Sequence, residues 1–174
     1  VEPHPALSKL QDPYDPAQNG PYRLHDATLY KGKYYSYFGP TPSIVLYIPY
    51  RLITKLYMGD HISVLLFSFG GVIFATLLLL YLRNRYFNKI NEWLVLISIL
   101  ILGLANCSLY NLRRTDVYEV AISCGMFFLI GAVYFLCIAF KNVKPSFLMF
   151  SLSSLFIGLG IGARPQILFS GILL

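Results

Sequence analysis

Four stretches of this chain carry no Asp, Glu, Lys or Arg over 22, 20, 21 and 19 residues: 61–82, 93–112, 120–140 and 145–163. Each matches the roughly 20 residues that an α-helix needs to cross a hydrocarbon core of about 30 Å. The runs are continuous rather than alternating, and backbone in lipid has to satisfy its own hydrogen bonds, so helix is expected and barrel strand is not. The competing reading is a soluble helical core, but four such runs in succession show no polar face to water. The expected fold is therefore all-α: a polytopic membrane protein with four complete transmembrane helices, over 61–82, 93–112, 117–140 and 145–164, and the start of a truncated fifth at 166–174.

Composition supports this. Hydrophobic residues make up 56% of the 174 residues and charged ones 13%, against about 45–50% and about 25% in soluble domains. The few charges divide the chain into two regions. Residues 1–60 hold eight of the ten prolines, nine of the fourteen tyrosines and a net charge of +1, which reads as a loop-rich extracytoplasmic segment. Residues 61–174 carry +5, in short connections between the apolar runs. A basic balance suits nucleic acid where it is clustered on a soluble module. Here the cations punctuate apolar runs, so membrane topology explains them and no nucleic-acid partner is expected.

Short connections make neighbouring helices antiparallel. Arg83, Arg85, Lys89, Lys141 and Lys144 then share one side, with Arg113, Arg114, Asp116, Glu119, Arg164 and the N-terminal region on the other. Counting Lys and Arg in the short connections favours the first side as cytoplasmic by five to three, and adding Arg51 and Lys55 makes a tie. Residues 34–50 are a further uncharged stretch, but Pro40, Pro42 and Pro49 would break a crossing helix. Residues 42–57 are read instead as an interfacial helix, with Ile44, Ile48, Leu52 and Leu56 facing lipid and Arg51 and Lys55 reaching phosphates. A true crossing there would invert everything after it. Both ends suggest a piece of a larger protein: position 1 is Val, and the run after Arg164 stops at Leu174.

Cys107, Cys124 and Cys137 lie inside apolar runs with no Cys/His spacing for zinc, and read as small buried hydrophobes. There is no Walker loop, H-E-x-x-H, G-x-S-x-G or Rossmann glycine pattern. Gly158 and Gly162 form a G-x-x-x-G pair suited to close helix packing. Candidate chemistry gathers on one face. Asp12 and Asp15 stand in QDPYDP, His25 and Asp26 in RLHDATLY, and Lys31, Lys33, Tyr34 and Tyr35 in KGKYYSYF. Asp116 and Glu119, three apart, face one side of a first helical turn. They would either complement the helix dipole or hold a divalent cation. Arg164 ends an uncharged run, where it would snorkel or offer a bidentate fork to a lipid phosphate.

The order of features in HDATLYKGKYYSYFGPTPSIVLYIPYRLITKLYMGDHISVLLF, followed by VYEVAISCGMFF and GLGIGARPQ, resembles the GT-C class of integral membrane glycosyltransferases. The resemblance covers essentially the whole chain and rests on an order of features rather than a short diagnostic motif. It implies transfer of a sugar from a polyprenyl-phosphate donor to an acceptor hydroxyl, at the outer face of the bacterial inner membrane. An extracytoplasmic carboxylate would act as general base and cations would steady the departing lipid phosphate. In many members the principal acid follows a first transmembrane helix that this chain lacks, which places that acid ahead of Val1. Among the residues present, the resemblance offers Asp26 first, then Asp15 and Asp12, as the base. It offers His25, Lys31, Lys33, Tyr34, Tyr35, Arg113, Arg114 and Arg164 for substrate and lipid phosphate. A transporter or flippase-like protein and a non-catalytic assembly subunit are the alternatives. The first would place polar groups within the apolar runs, where Asn106 and the serines at 151, 153 and 154 are the main candidates.

Overall fold

A computed structural model of the 174-residue chain describes residues 5–12, 15–20, 22, 27–31, 33–36, 38–105, 108–113, 115–141 and 146–170. The chain divides into two compact units, Val1–Phe38 and Gly39–Leu174.

In the first unit, Asp15 caps a single helical turn, α1 (Pro16–Asn19), by accepting the Ala17 N–H at 2.9 Å, and the following Pro16 is pre-set for a helix start. Strands β1 (Ala27–Tyr30) and β2 (Lys33–Ser36) form an antiparallel hairpin with Tyr30 opposite Lys33 and Thr28 opposite Tyr35. The two-residue connection begins at Lys31 with φ 48°, the left-handed conformation that short hairpin turns require. This hairpin departs from the all-α expectation. Its alternation is too short to register as a strand pattern beside the long apolar runs.

The second unit is helical. Ser43–Tyr47 form a π-helical turn that leads into α2 (Ile48–Thr54), and the Ile48 N–H bonds to Ser43 O. Pro49 explains the wide turn, because it has no N–H for the carbonyl four residues back and its ring pushes that carbonyl away. The helix ends at Lys55, left-handed at φ 60°. Ile44, Ile48, Leu52 and Leu56, the stripe read as lipid-facing, are all exposed.

Next come α3 (Asp60–Tyr86), α4 (Glu92–Leu104), α5 (Ser108–Arg113), α6 (Val117–Ala139), α7 (Phe147–Ala163) and the single turn α8 (Ile167–Ser170). Two of these are long and apolar enough to cross a membrane, α3 with 27 residues and α6 with 23. Helices α4 and α7 have 13 and 17 residues, or about 20 Å and about 26 Å. Four complete crossings are thus not what the helix lengths show. Within the stretch expected as one helix over 93–112, α4 ends at Leu104 and α5 covers Ser108–Arg113. Charge-free length could not report the end of α4, since the uncharged Ala105 that follows leaves the run intact.

Helix α6 lies along both α3 and α7. Its buried face includes Ala121, Ser123, Gly125, Gly131 and Ala132, small residues that let helices approach where apolar surface alone gives no preference between protein and lipid. The gaps are filled by rings: Phe156 meets Phe74 edge-on at 5.7 Å and Phe135 at 5.0 Å, with Phe127 and Phe128 alongside. Ser153 anchors α7 by donating its hydroxyl to Ala132 O at 2.9 Å.

Candidate functional site

The most developed constellation in the second unit lies where α7 ends and α6 begins. Pro165 biases the residue before it away from helical angles. Arg164 accordingly turns extended, at φ −141° and ψ 113°, and α7 stops. Its aliphatic stem runs across Gly125 and its guanidinium stands 4.6 Å from the centre of the Tyr118 ring. A cation held over an aromatic face keeps its fork oriented while remaining able to bind an anion at its edge.

The last carbonyls of α7 need partners. Gly39 supplies one, donating its N–H to Ala163 O at 3.3 Å. A side chain at Gly39 would collide with the Gly162 carbonyl, and Thr41, fully buried, packs on Gly162. The chain entering the α2 segment is therefore seated directly beside Arg164. At the far end of that segment, the Tyr47 hydroxyl donates to Asp60 Oδ1 on the first turn of α3. Burial foremost, and then the Asp60 hydrogen bond, push the Tyr47 phenol up to about 12.

Asp116 and Glu119 stand at the start of α6. They form a reciprocal capping box at α6, in which Glu119 Oε2 accepts the Asp116 N–H at 3.2 Å and Asp116 accepts from the Glu119 backbone. Among the described residues no group of three or more His, Cys, Asp or Glu could hold a metal. Arg113 is exposed at the end of α5, on the approach to this cap. Arg114 lies outside the described residues.

In the first unit, Asp15 spends one carboxylate oxygen on its helix cap and the other on Gln18 Nε2 at 2.9 Å. Asp12 is exposed. Asp26 and His25 lie outside the described residues. The hairpin aligns the aromatic and basic stretch. Tyr30 and Tyr35 meet edge-on at 6.3 Å, the Lys31 ammonium stands 5.3 Å from the Tyr30 ring centre, and Lys33 is exposed. Tyr34, on the opposite face, donates to Tyr22 O at 3.4 Å. The exposed face thus combines two ring faces with two ammonium groups.

Sequence reasoning missed several of these contacts. Tyr118 carries no motif, and Arg164 reaches it only because α6 and α7 pack together. A second missed set is polar and inside the helical unit: Asn111 Nδ2 and Ser68 Oγ both bond to Ser123 Oγ at 3.4 Å. A cavity of about 140 Å³ lies against them, closed otherwise by residues such as Val72, Met126 and Phe127. Asn111 is one of two amides in its apolar run, and nothing in the spacing pairs it with two serines; the other, Asn106, lies outside the described residues.

No family model, curated protein or solved structure matches this chain.

Proposed function

We propose that the chain is part of a multi-pass bacterial inner-membrane glycosyltransferase that transfers a sugar from a polyprenyl-phosphate donor at the outer face. Membrane residence is supported by exposure: only 28% of the most apolar stretch of α3 and 39% of that of α6 is buried, whereas the core helix of a soluble protein would be enclosed. In this reading α4 with α5, and α7, complete the four crossings together with the connecting chain. The family resemblance supplies the reaction class.

The observation that carries the site assignment is Arg164, held over Tyr118 at the start of α6 and flanked by the seat of the α2 segment. A guanidinium there suits a phosphate whose negative charge grows as the sugar departs. In the proposed step a carboxylate takes the acceptor hydroxyl proton, the acceptor oxygen bonds to the anomeric carbon, and the bond from that carbon to the phosphate oxygen breaks. Its electron pair stays on the polyprenyl phosphate. Asp26 is assigned as base among the residues present, because the aromatic and basic KGKYYSYF stretch follows it. The Tyr30–Tyr35 face with Lys31 and Lys33 is assigned to sugar and phosphate contact.

The test is donor turnover in membranes containing the full-length protein. Asp26→Asn and Arg164→Ala should each cut transfer while insertion is unchanged. Wild-type rates in both would remove these residues from the site. A second reading, a transporter, is favoured by the buried Asn111, Ser68 and Ser123 set beside its cavity. Solute flux in proteoliposomes with background donor turnover would establish it instead.

A further inference from the structure

At the opposite end of the bundle from Arg164, the end of α3 and the start of α4 enclose a groove of about 400 Å³. Its walls are apolar, built by Leu79, Leu82, Phe87, Ile90, Leu94 and Val95. Two polar side chains line it, Arg83 and Ser98, and the Ser98 hydroxyl is already given to Leu94 O at 2.8 Å. The available hydrogen-bonding capacity of the groove is therefore cationic. Arg83 Nη1 donates to Asn84 Oδ1 at 3.3 Å, whereas the buried Nε has no hydrogen-bond partner among the described residues. A buried N–H left unpaired is costly, more so on a charged group. A small swing of this long side chain would present the Nε and Nη edge of its fork to an oxygen arriving at the groove.

The α3–α4 connection is basic, with one acid, Glu92, at the first residue of α4. Arg83, Arg85 and Lys89 follow one another within seven residues, and no acidic residue occurs between Asp60 and Glu92. An apolar slot closed by a single guanidinium, amid further cations, matches a ligand with a hydrocarbon body and one anionic phosphate head. Both halves of the match are needed. A free phosphate would leave the slot unfilled, and a zwitterionic lipid would bring its own cation to a cationic rim.

We propose that this groove is an anionic-phospholipid site, with the phosphate on Arg83 and an acyl chain along Leu79, Leu82, Leu94 and Val95. The inference rests on α3 crossing a membrane and is independent of the transferase assignment. It places a bound lipid at the α3–α4 turn, where α4 has few protein contacts of its own, so the lipid would tie α4 to α3.

The test is native mass spectrometry of the detergent-purified full-length protein, titrated with phosphatidylglycerol or phosphatidylcholine of the same chains. One phosphatidylglycerol should be retained about tenfold more tightly than phosphatidylcholine, as expected for a charge-assisted contact. Arg83→Ala should remove that preference, Arg83→Lys should keep part of it, and Val95→Trp, which fills the slot, should lower binding of both lipids. Lys9→Ala, an exposed cation outside the groove, should change nothing. Equal retention of the two lipids, an unchanged preference in Arg83→Ala, or an equal loss in Lys9→Ala would each overturn the site. Protein that stays soluble without detergent and ignores vesicles would instead refute the membrane reading beneath it.

Discussion

Helices α4 and α6 are both built almost wholly from apolar residues, yet they occupy opposite situations. Helix α6 buries ten residues between α3 and α7, whereas α4 buries none. Leu94, Leu96, Ile97, Leu100, Ile101 and Leu104 of α4 are all exposed. The difference follows from residue size rather than hydrophobicity. Beside hydrocarbon, a leucine gains little by exchanging lipid for protein, whereas a glycine or alanine lets two backbones close up and brings many atoms into contact. Helix α6 alternates such small residues with phenylalanines that fill the neighbouring gaps, and α4 is a rod of large aliphatic chains. One is the spine of the unit and the other is its exposed member.

The contrast can be broken at the tight contacts first. Gly39→Val forces a side chain into the Gly162 carbonyl, an overpacking with no flexible neighbour to yield, and should cost about 3 kcal/mol or more. Thermal unfolding in detergent would show it as a large fall in Tm or as loss of folded protein. A normal Tm would mean that the segment at Gly39 is not seated on α7. Next, Ser153→Ala removes the hydroxyl that bonds Ala132 O and should cost roughly 0.6–1.7 kcal/mol, the range for polar contacts between membrane helices. The same measurement reads it.

A smaller effect depends on pH. The Tyr47 phenol rises from 10.0 to about 12 through burial and its bond to Asp60. The folded state holds this proton more tightly than the unfolded state does. The stability it confers is therefore intact below about pH 10 and is lost as pH climbs through about 12. Tyr47→Phe should flatten that alkaline limb in urea or guanidinium unfolding, and an unchanged limb would assign it to other tyrosines. The smallest effect belongs to α4. Leu100→Ala on its exposed side should shift stability by less than about 0.5 kcal/mol, and a loss comparable to that at Ser153 would show that α4 packs against protein after all.

How far these features could be read beforehand varies with their physical origin. Apolar run length located α3, α6 and α7 to within a few residues, because charges mark where a helix leaves an apolar environment. The capping box at Asp116 and Glu119 and the stop at Arg164–Pro165 were equally readable, since both act between residues adjacent in the chain. The end of α4 at Leu104 was hidden, because no charge interrupts the run there. The stacking of Arg164 on Tyr118 and the meeting of Ser68, Ser123 and Asn111 depend on which helix faces lie together. Those faces are chosen by small residues scattered along several helices, a signal with no fixed spacing. Asp26 and His25 rest on the resemblance and the sequence alone.

The central claim is that Arg164 serves a lipid-linked phosphate, and it is tested most directly by sugar transfer from a polyprenyl-phosphate donor in proteoliposomes, wild type against Arg164→Ala and Arg164→Lys. The account predicts that the alanine variant inserts and melts normally but turns over about 10²–10³-fold more slowly, with the lysine variant between. Full turnover in Arg164→Ala, or no turnover of any lipid-linked donor by the full-length protein, would contradict it.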